Sequence, residues 1–252
     1  MDRQDPGVAP GQSKEIPDLL PEEAEGQGRA DRRTTQLSVA SADAERERLR
    51  AMAVLERSLL GRGVRRAAGV DEAGRGALAG PVVAAAVILP DDAMIPGLDD
   101  SKRLSPAKRD ALFDKISGIA AAIGVGRIEA AEIDAVNIRR ANLLAMKEAV
   151  EALVPPPGHL LIDGIDAIDW QGPQTTVVGG DARSISIAAA SIIAKVTRDR
   201  IMVASDPEFP EYGFARHKGY GTAAHLAALE AHGPSAAHRR SFLRKRFNFD
   251  PA

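Results

Sequence analysis

The chain's 252 residues, 44% of them hydrophobic, suffice for a sizeable core in one large domain or two small ones. The absence of cysteine excludes disulfides, thiolate metal sites and cysteine nucleophiles, leaving carboxylates and histidines as candidate ligands. A formal net charge of −2 excludes a wholesale binder of polyanions but not a local basic surface, because charge is segregated along the chain. Asp18, Glu22, Glu23 and Glu25 lie near the start, while Arg239, Arg240, Arg244, Lys245 and Arg246 crowd the end.

Residues 1–42 mix proline, glycine, glutamine, serine and both charge signs with no apolar period, and read as a disordered extension. Met1-Asp2-Arg3 leads into polar sequence rather than an apolar leader, and no run is long enough to span a bilayer, so the expectation is a cytoplasmic protein. The catalytic domain is expected over residues 43–252. Ser41 or Asp43 can cap a helix to about Leu60, in which Leu49, Met52, Leu55 and Leu59 keep helical spacing. Gly61-Arg62-Gly63 stops it. An apolar approach, Ala67 to Val70, then predicts a first strand that runs out in Asp71 and Glu72, with the turn Gly74-Arg75-Gly76 directly after. Neighbouring side chains on a strand point to opposite faces, so these two acids can meet one metal only if the strand end twists or the turn re-aims one of them.

Pro81 to Leu89 reads as a second, fully buried strand, and the loop that follows carries Asp100-Ser101-Lys102. Ser105 and Pro106 open a helix buried through Leu112, Phe113 and Ile116. Ala120 to Ile128 is a third strand, and residues 130–153 are helical with a break allowed around Asn137. His159 to Ile162 is a fourth strand terminated by Asp163-Gly164; Thr175 to Val178 is a fifth, terminated by Gly179-Gly180-Asp181. Ser184 to Val203 reads as a long helix, Thr222 caps another to about Ala231, and a basic tail closes the chain. This order predicts a mixed sheet covered by helices on both faces. If the first, fourth and fifth strands are adjacent and parallel, Asp71, Glu72, Asp163 and Asp181 converge at the carboxyl edge, where open α/β sheets favour ligands.

A lone aspartate after a strand is usually a turn or cap residue, and Asp166 and Asp169 are decoys of that type beside Asp163. Several strand-end acids packed together repel, so a cluster implies a cation, and all-oxygen ligation selects Mg²⁺ or Mn²⁺ over zinc. Two such ions about 3.5–4 Å apart can clamp the attacking and departing oxygens of a phosphodiester. The spacing Gly74-x-Gly76-x-x-x-Gly80 offers a rival, a dinucleotide-binding fingerprint. Against it, the two acids would face a pyrophosphate with like charge, and the turn leads into a strand rather than a helix N-terminus.

These motifs together resemble the type 2 ribonuclease H family, the bacterial ribonucleases HII. The resemblance rests on Gly69-Val70-Asp71-Glu72-Ala73-Gly74-Arg75-Gly76, Ala79 to Val83, Asp100-Ser101-Lys102, Leu161 to Gly164, Gly180-Asp181, Ser186 to Asp199, His217 to Thr222 and His238 to Phe242. It covers nearly everything from about Asp43 onward. It implies a ribonuclease H-like three-layer α/β/α sandwich with a five-stranded mixed sheet and a helical C-terminal part. The implied activity is endonucleolytic cleavage of RNA in RNA·DNA hybrids, and incision 5′ to single ribonucleotides embedded in duplex DNA, leaving 3′-hydroxyl and 5′-phosphate ends. Asp71, Glu72, Asp163 and Asp181 are the implied metal-binding carboxylates. Gly74, Arg75 and Gly76 are implied to read the 2′-hydroxyl at the RNA–DNA junction, with Tyr220 packing on the neighbouring deoxyribose.

The chain departs from the family pattern twice: Ala77 stands where a proline commonly follows the turn, and Gly179 where a lysine commonly precedes the glycine before the fourth acid. The extension has no counterpart in that pattern. Ser101 and Lys102 are either solvated loop residues or phosphate contacts. Ser184, Ser191, Lys195 and Arg198 fall on similar faces of one helix; Ser184 is equally a cap or a substrate contact, and Lys195 can pair with an acid or touch nucleic acid. His217 is read as structural in preference to a general base, and the basic tail as a duplex contact. No coiled-coil repeat points beyond a monomer. A non-catalytic nucleic-acid-binding module on the same fold is the remaining rival, although a pure binder gains nothing from anions facing phosphate.

Overall fold

The structure is a computed structural model that describes Met1 and residues 41–247, with side chains through residue 244. The expected disordered extension falls almost wholly outside the described residues, as do the side chains of Lys245 and Arg246. Residues 41 and 42, counted with the extension from sequence, are already helical. The chain divides into two compact units, Met1–Asp43 and Ala44–Ala252, and the fold lies in the second.

The helix expected up to Leu60 is two, α1 (41–52) and α2 (Val54–Gly61), parted at Ala53, where ψ opens to 9°. Leu49, Met52 and Leu59 are buried as their spacing predicts. Five strands follow: β1 (Ala67–Ala73), β2 (Val82–Ile88), β3 (Ala122–Ile128), β4 (His159–Asp163) and β5 (Gln174–Val177). They form one mixed sheet in the order β3-β2-β1-β4-β5. β1 pairs antiparallel with β2 and parallel with β4, and β4 pairs parallel with β5. The three strands predicted to end in acids therefore share one carboxyl edge. One detail differs: Asp71 and Glu72 lie inside β1, because β2 continues to pair with it through Glu72↔Ala84 and Ala73↔Val83.

β2 shows why the molecule has three layers. All seven of its residues are buried, and alternate side chains feed opposite cores. Ala85 and Val87 pack with Ala188, Ala189, Ile192 and Ile193 of the long helix α6 (Ile185–Ala204), where α3 (Pro106–Ile119) also lies. Val82, Ala84, Ala86 and Ile88 pack with Ala141, Ala145, Met146 and Ala149 of α5 (Ile138–Glu151). α4 (Ala130–Val136) precedes α5, and the break between them falls at Asn137 as expected, with φ at 69° and the side chain accepting from the Arg140 amide. Past α6 the chain builds a smaller aromatic core around Met202, Tyr212, Phe214, Leu229 and Leu243. It includes the short α7 (Phe214–His217), α8 (Ala223–His232) capped by Thr222, and α9 (Arg240–Phe247). No helix among the described residues is long and apolar enough to cross a membrane.

α6 is pinned at its start by a residue that sequence spacing did not single out. Glu56 of α2 accepts on one oxygen from the Ser184 hydroxyl at 2.5 Å, the Ser186 hydroxyl at 2.6 Å and the Ser186 amide at 3.1 Å. Ser184 is fully buried and caps α6, accepting from the Ile187 amide. The substrate contact considered for it is thus corrected to a cap. Glu56→Ala leaves three buried donors without that acceptor and is expected to cost about 2 kcal/mol or more of stability. Urea unfolding measures it, and an unchanged midpoint would show that Glu56 does not anchor α6.

Candidate active site

Asp71 and Glu72 sit on opposite faces of β1, as a regular strand requires. Asp71 looks toward α6, where the Ser191 hydroxyl stands against its carboxylate; Glu72 looks toward α5, where the Asn142 side chain faces it. Burial pushes the Asp71 carboxyl well above the usual range, and the charges of Glu72 and Asp163 push it further. Ser191 and the Glu72 amide, which donates to Asp71 at 2.7 Å, work the other way. Burial also raises Glu72, opposed by Asn142 and by Arg75, whose guanidinium lies 3.8 Å from it. Asp163, the last residue of β4, accepts from the Gly180 amide at 2.7 Å and so ties its strand to the 3-10 turn Gly180–Ala182 that carries Asp181. Asp181 is raised by burial and by Asp100, with Lys102 3.5 Å away acting against them. Lys102 is itself raised: burial disfavours its charge, but Asp181, Asp100 and Asp71 outweigh that.

A cleft of about 280 Å³ brings Asp71, Glu72, Asp163, Gly74, Arg75, Gly76, Ser101, Lys102, Lys195 and Tyr220 together. Asp181 does not line it, but lies 3.5 Å from Lys102, which does. The turn has a defined underside. Gly74 has φ of +89°, and a Cβ there would meet the Arg198 guanidinium at 1.8 Å. Arg198 donates to the carbonyls of Pro81, Lys218 and Ala79 at 2.9–3.0 Å, and Arg239 to those of Gly80 and Arg75 at 2.9 and 3.0 Å. Both arginines are fully buried. Burial lowers Arg198, and burial together with the Arg198 charge brings Arg239 down to about 9.

These contacts correct some sequence expectations and bear out others. Arg198 cannot touch a substrate, because its guanidinium lies beneath the turn rather than in the cleft. Arg239, counted with the basic tail, is equally enclosed. Ser101 lines the cleft but is buried, and its hydroxyl shares a 2.9 Å hydrogen bond with Ser191, so it steadies the Asp71 partner instead of reaching outward. Lys195 pairs with Asp199 at 2.7 Å rather than with a site acid. His217 donates to the Tyr212 carbonyl at 2.7 Å and accepts from the Gly219 amide, a structural role. Asp166 and Asp169 are ion-paired to Arg139 and Lys147 on the surface. Asn142 was missed; its only signal is an amide among the alanines at 141, 145 and 149, on the buried stripe of α5.

The donor chemistry fits a hard divalent cation: four acids at the carboxyl edge of three strands, all oxygen donors, three of them raised with burial as the first cause. Ligand spacing is not preformed. Among the described residues no three acidic or histidine side chains are gathered closely enough to hold a metal ion as they stand. Asp71 and Glu72 on opposite faces, and Lys102 against Asp181, account for that.

The ribonuclease HII family model matches residues 68–248. The chain belongs to the ribonuclease HII family. Ribonuclease HII of Geobacillus thermodenitrificans (strain NG80-2) is 54% identical over 244 residues, covering 91% of this chain and 93% of its own. That of Geobacter sulfurreducens is 60% identical over 181 residues, covering 72% and 83%. Among solved structures, the ribonuclease H2 of Pyrococcus horikoshii OT3 matches with a TM-score of 0.62 at 27% identity, over 73% of this chain and all of that one. The Geobacillus match is longer than residues 43–252 alone, so part of the extension is aligned with that relative. Membership makes this ribonuclease HII a metal-dependent endoribonuclease that acts on RNA in RNA–DNA hybrids.

Two predictions follow from the charges. A carboxyl whose folded pKa is raised loses folding stability as pH rises through that value, so ionised Asp71 costs the metal-free enzyme stability near neutral pH. Asp71→Asn is expected to melt higher than the parent in chelator, by about 2–4 °C per kcal/mol recovered, and to lose cleavage; a lower melting point would contradict the burial cost. Burial lowers His225 and His238, the latter to about 4. The contribution of each is complete above about pH 6.5 and is lost as pH falls through its lowered value, for His238 toward about 4 at up to ~1.4 kcal/mol per pH unit. The stability difference between parent and His238→Gln is therefore expected to shrink from pH 6.5 to 4 in urea titrations; a constant difference would exclude it.

Proposed function

We propose that this ribonuclease HII incises on the 5′ side of a ribonucleotide, single ribonucleotides embedded in duplex DNA included, by two-metal-ion catalysis with Mg²⁺ or Mn²⁺. The observation that carries this reading is one cleft shared by two kinds of residue: the acids Asp71, Glu72 and Asp163, and the substrate-reading set Gly74, Arg75, Gly76 and Tyr220. The carboxylates would hold divalent cations, which would supply positive charge at the attacking and departing oxygens of the phosphodiester.

The chain's own residues supply the rest. Asp71, Glu72, Asp163 and Asp181 must be ionised to hold the cations, and Ser191 and Asn142 favour that form at the two buried acids. The glycines of the turn let backbone approach a 2′-hydroxyl, the group that separates RNA from DNA. Arg75 and Lys102, each largely exposed at the rim, are placed to meet phosphates, which fix register without reading sequence. Tyr220 presents a flat face to the neighbouring sugar. Water adds at phosphorus as the bond to the 3′ oxygen breaks, so the ends are a 3′-hydroxyl and a 5′-phosphate.

Duplex DNA carrying one ribonucleotide, incubated with and without Mg²⁺ and run on a denaturing gel, tests the reading. A single cut 5′ to the ribonucleotide, dependent on the cation, is expected. Tyr220→Ala is expected to slow that cut about tenfold, within the ~1–3 kcal/mol that an aromatic stacking platform contributes, while weakening duplex binding less. Equal losses in cutting and binding would remove the junction-reading role.

A further inference from the structure

Four of the five histidines, at 217, 225, 232 and 238, gather around Tyr212 and Phe214 in the C-terminal layer. His225 and His238 are buried, at 0% and 2% exposure, and the chemistry above uses neither. Their hydrogen bonds nevertheless point one way. His225 Nδ1 lies 2.9 Å from the Tyr220 carbonyl, which can only accept, so Nδ1 carries the hydrogen. His225 Nε2 lies 2.9 Å from His238 Nε2; in a neutral His225 it is the acceptor, and His238 donates. His238 Nδ1 is then free to accept, and it receives the Ser235 amide at 3.0 Å and the Ser235 hydroxyl at 2.9 Å. Every ring nitrogen is engaged, His238 Nδ1 by both Ser235 donors, in a directed series from Ser235 through two neutral imidazoles to Tyr220.

The segment it reaches needs holding. Lys218 and Gly219, immediately before Tyr220, have positive φ of 54° and 81°. Tyr220 directs its ring at the cleft, with Lys195 Nζ and Arg198 Cζ 5.3 and 5.2 Å from the ring centre. Its main chain therefore sets where the ring can lie. His217 brackets the other side, stacked on His225 at 4.3 Å and accepting from the Gly219 amide.

We propose that His225, oriented by His238 and Ser235, is a positioning residue for Tyr220, fixing the main chain from which the ring meets the sugar at the RNA–DNA junction. The inference rests on the junction-reading role of Tyr220 and extends it to a second layer. It distinguishes His225 from a core filler, because the bond from Nδ1 matters and ring volume alone does not.

The test exploits two isosteric amides. His225→Asn places an N–H where Nδ1 stands and keeps the bond to Tyr220. His225→Gln moves the amide toward His238 and loses it. The readout is kcat/KM on duplex DNA with one ribonucleotide relative to kcat/KM on a continuous RNA·DNA hybrid, with folding followed by thermal melting. His225→Gln is expected to lower the ratio about tenfold, the worth of one hydrogen bond, while His225→Asn stays near the parent. In a Tyr220→Ala background His225→Gln is expected to have no further effect on the ratio. A full additional loss in that background, or equal losses for Asn and Gln, would overturn the proposal. If Tyr220→Ala alone left the ratio unchanged, the junction-reading role itself would fall, a result distinct from either.

Discussion

Two carboxylates on consecutive residues of a central strand govern the architecture around them. A strand sends neighbours to opposite faces, so Asp71 and Glu72 enter different helix–sheet interfaces and both lose water. Neither is neutralised by a close buried cation; each receives instead one polar group from the helix that covers it, Ser191 from α6 and Asn142 from α5. Those groups favour the ionised state without cancelling its charge. The cost is borne by a sheet core that is otherwise apolar, and a divalent cation would relieve it. The same residues thus cost the metal-free protein stability and have the donor chemistry that suits a hard cation.

Beneath the turn the charge is reversed. Arg198 and Arg239 donate to five backbone carbonyls, with one Arg239 nitrogen left buried and without an acceptor. Carbonyls satisfy the donors but leave the net charge in place, which buried carboxylates would not. Acids line the cleft and guanidiniums lie under the turn, so the two signs of charge are held apart on either side of it. The arginines also build the floor physically, since Arg198 fills the volume that a side chain at residue 74 would need.

The sheet, its order of elements and the convergence of three strand ends were legible because each rests on local signals: an apolar run, a terminating acid or glycine, a capping serine. The extent of β1 was not, since pairing with β2 carries it through Asp71 and Glu72 against the reading that acids end a strand. Side-chain destinations were the least legible. Arg198, Lys195 and Ser191 share a helix and fall on similar faces, yet one is sealed under the turn, one pairs with Asp199 and one backs Asp71. Helical spacing gives a direction and not a partner. Asn142 and Glu56 escaped because a single polar residue on an apolar stripe looks like noise until its counterpart is brought against it from elsewhere in the chain.

The two departures from the family pattern have local reasons that motif comparison hides. Ala77 donates its amide to the Gly74 carbonyl at 3.2 Å, closing the turn with a bond that a proline could not make. Rigidity lost from the ring is offset by that bond and by the arginines below. Gly179 has φ of +63°, left-handed backbone that costs glycine nothing and a lysine roughly 1 kcal/mol. A lysine there would add charge near Asp181, where Lys102 of the shared Asp100-Ser101-Lys102 motif already stands at 3.5 Å. Charge at Asp181 thus comes from the loop between β2 and α3, while Gly179 gives the left-handed turn that leads into the acid.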